Sequence, residues 1–352
     1  MRPAAKCGLP YRGGTGDESR SRTEQDAIMK RRQFLRYAVA AAAAPSFARN
    51  ALALDYPVRP VRVIVPFAAG GITDVTARLV AGKLSEQLGR QFYVENVVGG
   101  SGNVGMGQAA KAMPDGYTVL TAFSSYVVNP SLFDHVSYDP IRDFDPVALA
   151  VTSTTVLVVN PGLPAGNVRE LIALIRANPG KYTYSSAGTG TTSHLAGEQL
   201  RLALGLDIVH VPFSGGAPSM ASVVGGHTPI GLSAPAAAMA LIHDGKLRAL
   251  AVTSKTRTET LPDVPTITEA GLPEIEGESF VGFVVPAGTA KDIVTLLNHE
   301  IVRAMETADM RERQAMLGND ARSGTPDQFG QRIKSEVAIW AKVIRAANIK
   351  AG

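Results

Sequence analysis

The sequence predicts an α/β protein of two lobes, with mixed sheets flanked by helices and two strands that cross between the lobes. The length of 352 residues exceeds one ordinary domain of about 100 to 200 residues and suits two. Short β-branched runs alternate with Gly/Ser/Thr loops and helix starts, the pattern of open α/β sheets with largely parallel strands. Two apolar runs that end in proline, 156–161 and 280–286, are candidates for the crossing strands.

The elements follow one another in a regular order. A strand at 61–65 precedes the loop 66–71 and a helix that starts near Thr73. Further strands are predicted at 91–94, 117–121, 155–159, 182–185 and 208–211. Two closing helices, 290–306 and 326–347, are expected to return to the first lobe, and the latter starts with the spacing of a capping box.

These elements divide the chain into three parts. We predict a leader over 1–53, a first lobe formed by 54–157 together with 281–352, and a second lobe formed by 158–280.

The composition excludes several classes of protein. With 45% hydrophobic and 19% charged residues, the chain has material for a core and is not globally disordered. Cys7 is the one cysteine of the sequence, so an intrachain disulfide and a cysteine-rich metal site are excluded.

Residues 1–53 differ from the rest of the chain. The basic segment 30–36 leads into the apolar run 37–44, and Ala51-Leu52-Ala53 has the small residues of a signal-peptide cleavage site. The apolar run is far below the roughly 18 to 20 residues that a membrane span requires. The paired arginines before Phe34 resemble the twin-arginine export signal, and a general secretory signal is the alternative.

The leader bears on the start of the chain and on its destination. Met29 directly precedes the basic segment, so we hypothesise that translation starts there; peptides from 1–28 in the pre-protein would refute this. Cleavage near Ala53 leaves no cysteine for lipid attachment, and we expect a product free in the periplasm.

The net charge of the whole chain is misleading about partners. A formal charge of +4 would by itself suggest nucleic acid as a partner. The leader, however, holds ten of the 35 basic residues and four of the 31 acidic ones, so the remainder, with 25 basic and 27 acidic residues, carries −2. We therefore expect no nucleic-acid partner.

Enzyme motifs are scarce. Gly100–Gly105 satisfies G-x-G-x-x-G, but the next strand ends at Phe123 without the acidic residue that a dinucleotide site needs, which favours a packed turn. A cofactor-binding oxidoreductase that uses this loop remains the alternative. No phosphate-loop, nucleophile-elbow or zincin motif occurs in the sequence. His194 and Glu198 have i, i+4 spacing, but packing or capping is favoured over metal binding, and we expect no metal and no cofactor.

Five loop segments share one composition. They contain no lysine or arginine and are built from small and polar residues with a few aromatic ones: 66–74, 121–131, 185–193, 212–219 and 231–240. In open α/β sheets such loops meet beyond the carboxyl ends of strands, and the N–H groups of helix N-termini bind anions there without basic side chains. Asp74 is the one charge in the set; we expect it to stabilise the first turn of a helix, with a ligand hydroxyl as an alternative partner.

Six segments resemble the Bug family, the substrate-binding proteins of tripartite tricarboxylate transporters. They occur in the family's order and extend the resemblance from about residue 56 to the C-terminus: 56–74, 114–118, 184–198, 210–218, 245–253 and 261–266. The resemblance implies a two-lobe type II periplasmic binding protein without catalytic activity. It also implies a monomer that captures a small organic anion and delivers it to integral membrane transporter subunits or a sensor.

The resemblance also implies which residues hold the ligand carboxylate, through main-chain groups and waters. From the first lobe the candidates are Phe67, Gly70, Gly71, Thr73, Asp74, Ser124, Ser125 and Asn129. From the second lobe they are Ala187, Gly188, Thr191, Thr192, His194, Phe213, Ser214, Gly215 and Ser233. Segment 69–72 departs from the family pattern, where many members have proline. Ser233 stands where several members have an aspartate suited to an amine, so we hypothesise a carboxylate ligand without an amino group.

Overall fold

The computed structural model describes residues 55–350, which form eleven strands, ten α-helices and one 3-10 helix (Gly100–Gly102). The strands are β1 (Val61–Val65), β2 (Phe92–Asn96), β3 (Thr118–Phe123), β4 (Phe144–Ser153), β5 (Val156–Val159), β6 (Tyr182–Ser186), β7 (Ile208–Pro212), β8 (Ile230–Ser233), β9 (Arg248–Val252), β10 (Ser279–Pro286) and β11 (Asp320–Ala321). The helices are α1 (Ile72–Leu88), α2 (Asn103–Ala110), α3 (Ser125–Leu132), α4 (Val168–Arg176), α5 (Thr192–Leu204), α6 (Gly216–Val224), α7 (Pro235–His243), α8 (Lys291–Met305), α9 (Ala308–Met316) and α10 (Pro326–Ala346). The predicted leader, its cleavage site, Cys7 and Met29 lie outside the described residues.

The strands form two mixed sheets. The first has the order β11-β4-β10-β3-β1-β2, and the second has the order β7-β6-β8-β5-β9. Strand β1 is parallel to both of its neighbours, whereas β10 is antiparallel to β3 and β4, and β5 is antiparallel to β8 and β9. The predicted α/β class with mixed sheets flanked by helices is confirmed.

The burial of the strands explains why the sequence forms them. In β1 the side chains of Val61, Val63 and Val65 pack into one apolar cluster with α1 and α8, while Ile64 packs into another with α3 and α10. A strand buried on both faces reads as a continuous apolar run. Strand β5 repeats this pattern, with Leu157 facing the α4 and α5 side of the second sheet.

Two crossings connect the sheets. The chain leaves β4 at Ser153 and enters β5 at Val156, and it returns between β9 and β10. The crossings lie side by side, because Thr155 N donates to Thr253 Oγ1 (3.1 Å) and Thr253 N donates to the Thr155 carbonyl (3.0 Å). The predicted lobe boundaries, after 157 and 280, fall just inside β5 and β10. The division into lobes at those residues stays a prediction.

Helix α10 fastens the return crossing to the first sheet. Its predicted capping box is present: Gln328 N donates to Thr325 Oγ1 (3.2 Å), and Thr325 N donates to Gln328 Oε1 (2.9 Å). One turn later Arg332 donates to Glu336 Oε1 (2.6 Å) and lies 3.5 Å from a carboxylate oxygen of Glu278, which precedes β10. Burial raises the pKa of Glu336 to about 7, although Arg332 opposes this.

No helix among residues 55–350 combines the length and the apolar character that a bilayer crossing requires.

The pKa of Glu336 predicts a pH-dependent term in stability. Because its pKa is raised from 4.5 to about 7, the folded state holds the proton more tightly than the unfolded state. Its contribution is therefore fully present below pH 4.5 and is lost as the pH rises through about 7. We expect Glu336→Gln, which stays neutral, to become relatively more stable than the wild type by at most about 3 kcal/mol between pH 5 and pH 8.5, at about 1.4 kcal/mol per pKa unit.

Urea unfolding at several pH values measures this difference. The exposed Glu86, substituted in the same way, is the matched control and should follow the wild type at every pH. A constant difference between Glu336→Gln and the wild type would mean that Glu336 does not titrate in this range.

Candidate functional site

A cavity of about 350 Å³ opens where the two sheets face each other. Its volume is in the range of sites for small molecules. From the first sheet's side it is lined by Phe67, Ser101, Phe123, Ser124, Ser125, Asn129 and Leu132, and from the crossings by Thr154, Thr155 and Ser279. From the second sheet's side it is lined by Ala187, Thr189, Gly190, Thr191, Thr192, Ser193 and Ala234. Among the described residues that line it, none carries an ionisable side chain.

One helix starts at the cavity from the first sheet's side. Helix α3 follows the end of β3, and its N-cap residue Ser124 and first residue Ser125 both line the cavity. Ser124 Oγ accepts a hydrogen bond from Phe280 N (3.1 Å) and is thereby tied to β10. Ser125 Oγ is shielded from solvent and has no hydrogen-bond partner among the described residues. The first N–H groups of a helix also have no acceptor within the helix.

A second helix starts at the same cavity from the other side. Helix α5 has Thr191 as its N-cap, and the first helical bond is that from Leu195 N to the Thr191 carbonyl (2.9 Å). Thr192 and Ser193, in the first turn, line the cavity. Two positive ends of helix dipoles therefore face one cavity whose described lining includes no basic side chain.

The loop between β6 and α5 has its shape fixed from behind. Ala187 N donates to Ser193 Oγ (3.1 Å), and Gly190 N donates to His194 Nδ1 (3.0 Å). Gly190 has a φ of +77°, and a Cβ placed on it would lie 2.5 Å from Leu132 Cδ2 on the opposite wall. A glycine is required here both by the backbone and by the closeness of the two walls.

The G-x-G-x-x-G segment forms part of the cavity wall. Gly99, Gly100, Ser101 and Gly102 all have positive φ, which turns the side chain of Ser101 into the lining. The Ser101 carbonyl accepts from Asn129 Nδ2 (3.0 Å), so the segment is tied to α3. A Cβ on Gly105 would lie 2.7 Å from a backbone oxygen, which is the close packing of a turn. The geometry agrees with the packed-turn interpretation.

Asp74 closes the first loop and does not line the cavity. Its carboxylate accepts from Gly70 N (2.9 Å), Asn96 Nδ2 (2.8 Å) and Arg78. Burial disfavours the charged form, but the hydrogen bonds from Arg78, Gly70 and Asn96 outweigh it and lower the pKa of Asp74. Its place in the first turn of α1 agrees with the structural role expected from the sequence.

The structure brings together some of the predicted ligand-binding residues. Those that line the cavity are Phe67, Ser124, Ser125, Asn129, Ala187, Thr191 and Thr192. Those that do not are Gly70, Gly71, Thr73, Asp74, Gly188, His194, Phe213, Ser214, Gly215 and Ser233. Several of the latter support the lining loops: Phe213 N donates to the Ser186 carbonyl, and Gly215 N donates to the Ala187 carbonyl (both 3.1 Å). For the residues of both sets, direct contact with a ligand stays a prediction.

Other lining residues were not among the predicted ones. Thr154, Thr155 and Ser279 belong to the two crossings, and no local pattern marks them as part of a cavity. Phe123 and Ala234 lie within 121–131 and 231–240, two of the loop segments that contain no lysine or arginine. This shared composition is the sequence signal that could have identified them. Among the described residues, no group of three or more His, Cys, Asp or Glu side chains has the arrangement of a metal site.

Residues 76–349 match the family described as tripartite tricarboxylate transporter family receptor. The chain belongs to this family. BugT of Bordetella pertussis is 35% identical over 297 residues, which cover 84% of this chain and 91% of BugT. An R. palustris protein solved with adipate is 33% identical, with a TM-score of 0.70, over 84% of this chain and 99% of that one. MatC from Rhodopseudomonas palustris, solved with bound malate, is 31% identical, with a TM-score of 0.67, over 82% and 100%.

Membership in this family confirms several expectations from the sequence. The resemblance to the Bug family and the two-lobe fold are confirmed, and the chain is a solute-binding receptor rather than an enzyme. The oxidoreductase alternative is therefore wrong, and the Gly100–Gly105 loop serves as a wall of the receptor's cavity.

The contact between Gly190 and Leu132 predicts a measurable coupling. We expect Gly190→Ala to destabilise the receptor by about 1 to 2 kcal/mol through backbone strain and by about 1 to 3 kcal/mol through overpacking. Leu132→Ala should relieve the second cost but not the first, so the double variant should lose less than the sum of the single losses.

Urea unfolding of the four proteins gives the coupling free energy. Gly205 is the control for strain alone, because its φ is +60° and a Cβ there would meet nothing within 4 Å. Strictly additive losses in the Gly190 and Leu132 variants would contradict the contact.

Proposed function

We propose that this receptor captures a small organic carboxylate in the cavity between its lobes, in the periplasm, and delivers it to a tripartite tricarboxylate-type transporter or to a sensor. The observation that carries the proposal is that α3 and α5 start at the same cavity from opposite sides. Family membership, and relatives solved with adipate or malate, support the ligand class.

The chemistry of the cavity suits an anion. Free N–H groups and the positive dipole end of a helix bind carboxylates without a basic side chain. Around them the hydroxyls of Ser101, Ser125 and Thr192 supply further donors. A ligand that accepts from both helix starts would hold the two walls together, which is the cleft closure typical of such receptors.

The energies are sufficient for a useful affinity. Micromolar binding needs about 8 kcal/mol, and a hydrogen bond to a charged group contributes about 1.5 to 3 kcal/mol. Three or four such bonds, with apolar burial against Phe67, Phe123 and Leu132, leave a surplus after the costs of association.

The same lining argues against an amino group on the ligand. An ammonium group needs a carboxylate partner when it is buried, and no acidic side chain lines the cavity among the described residues. Ser233, whose hydroxyl is buried beside the lining residue Ala234, supplies no charge. The proposed ligands are therefore acids without an amino group, such as dicarboxylates, hydroxy acids and aromatic acids.

Export is part of the proposal. The basic, apolar and small-residue segments of 1–53 have the order of a signal peptide. Removal of that leader would leave a receptor with a net charge of −2. This receptor would be free to diffuse through the periplasm to its membrane partner.

Thermal unfolding with matched pairs of acids tests the ligand class. We expect succinate or glutarate, but not aspartate or glutamate, to stabilise the receptor by about 2.7 kcal/mol at a hundredfold excess over Kd. A panel that also contains malate, adipate, benzoate and citrate covers the other acids. Stabilisation by the amino acids alone would refute the ligand class, and no response to any acid would refute the proposed function.

Ser125 is the residue to substitute first. If its unpartnered hydroxyl donates to the ligand, Ser125→Ala should weaken binding by about tenfold to a hundredfold in calorimetry, since that bond contributes about 1.5 to 3 kcal/mol. Ser335, exposed on α10 and away from the cavity, is the matched control and should bind as the wild type does. An unchanged Kd in the Ser125 variant would exclude this contact.

A further inference from the structure

Two histidine rings stack behind the loop that lines the second wall of the cavity. The ring centroids of His194, on α5, and His210, on β7, lie 3.8 Å apart at an interplanar angle of 14°. His194 is 4% exposed, and neither ring lines the cavity. Two cations cannot share such a stack, since like charges at this distance disfavour each other.

Each ring is hydrogen-bonded to the loop. Gly190 N donates to His194 Nδ1 (3.0 Å), so this nitrogen carries no proton and the neutral ring holds its proton on Nε2. His210 Nε2 lies 2.7 Å from Ser186 Oγ, which accepts from Gly188 N (3.1 Å). The pair thus fixes two N–H groups of the segment that leads into the first turn of α5.

Among the described residues, the acidic side chains near the two histidines are hydrogen-bonded to other groups and not to the rings. Glu198, one turn along α5, accepts from Tyr184 Oη of β6 (2.7 Å) and from Arg201 Nε (2.9 Å), so both of its oxygens are occupied. Helix α10 packs on another side of α5 and brings Arg332 and Glu336, which pair with each other.

The direction of the pKa shifts agrees with this geometry. Burial lowers the pKa of His194 from 6.5, against a smaller opposite effect of Glu198. Burial, followed by the charge of a protonated His194, lowers the pKa of His210 to about 4.

We propose that His194 and His210 are positioning residues of the proposed carboxylate site, and that the pair must be neutral for the loop to hold its ligand. The inference rests on the proposed function and adds acid release to it. A proton on His194 Nδ1 would turn the acceptor of the Gly190 N–H into a second donor, and the loop with Thr191 and Thr192 would lose its support. Ligand binding would then expel the proton.

The sign of the pH dependence follows from this linkage. Because the neutral pair binds the ligand, affinity is full above the pKa of His194 in the free receptor, which burial places below 6.5, and falls by up to tenfold per pH unit below that pKa for one proton. The ordinary titration of the ligand carboxylate acts in the same direction, so the test must separate the two.

Substitution of His194 separates them. Asparagine offers Oδ1 close to the position of Nδ1 but does not titrate, whereas alanine removes the acceptor. At pH 8 we expect His194→Asn to bind the most stabilising acid of the panel within about threefold of the wild type. We expect His194→Ala to bind about tenfold or more weakly, since a buried unpaired N–H costs about 1 to 3 kcal/mol.

Calorimetry from pH 8 to pH 4, a range that extends to the pKa of about 4 of His210, then compares the slopes. The wild type should lose affinity faster than His194→Asn, whose remaining slope belongs to the ligand. His243→Asn, at an exposed position on α7, should keep the wild-type slope. Equal slopes in the wild type and His194→Asn would overturn the proposal.

A readout without ligand distinguishes this inference from the proposed function. Nitrogen NMR of the His194 ring should report an unprotonated Nδ1 at pH 7.5, and the Gly190 amide should exchange faster with solvent in His194→Ala but not in His194→Asn. A proton on Nδ1 at that pH would overturn the inference even if carboxylates bind. If no acid of the panel binds the wild type, the proposed function fails and the pair's positioning of a carboxylate site fails with it.

Discussion

Main-chain N–H groups can hold an anion only if the loops that carry them are fixed, and in this receptor the loops at the cavity are fixed from behind. Asp74, which does not line the cavity, accepts hydrogen bonds from Gly70 N and Asn96 Nδ2 and so fixes the first loop. In the second loop the side chains of His194 and Ser193 accept the N–H groups of Gly190 and Ala187. These polar side chains thus shape the backbone of the loops around the cavity.

The ionisable groups behind the cavity divide into two sets with opposite pH dependence. At the return crossing, burial raises the pKa of Glu336, so its contribution to stability is lost as the pH rises. Behind the second loop, burial lowers the pKa of His194 and His210, so their contribution is lost as the pH falls below 6.5. A fall in pH below 6.5 therefore destabilises the second loop rather than the return crossing. A loop can change its conformation while the fold around it stays intact.

Much of the fold could be predicted from the sequence, and the reason is local. Strand β1 is buried on both faces, so it reads as an apolar run, and Asp74 stands in the first turn of a helix where a carboxylate is favoured. The part of the cavity at the crossings could not be predicted. Thr155 faces it because of a pairing with Thr253, 98 residues away, and no pattern within β4 or β5 encodes that pairing.

The absence of charge on the described cavity walls has a consequence for how the receptor closes. A lysine or arginine on one lobe would attract an anion to that lobe even in the open receptor. Here each lobe contributes helix starts and some hydroxyls instead, and on the second lobe Ala234, the N-cap of α7, lines the cavity beside the start of α5. The two walls approach each other closely where Gly190 lies against Leu132, so under the proposed function affinity depends on both walls meeting the ligand at once.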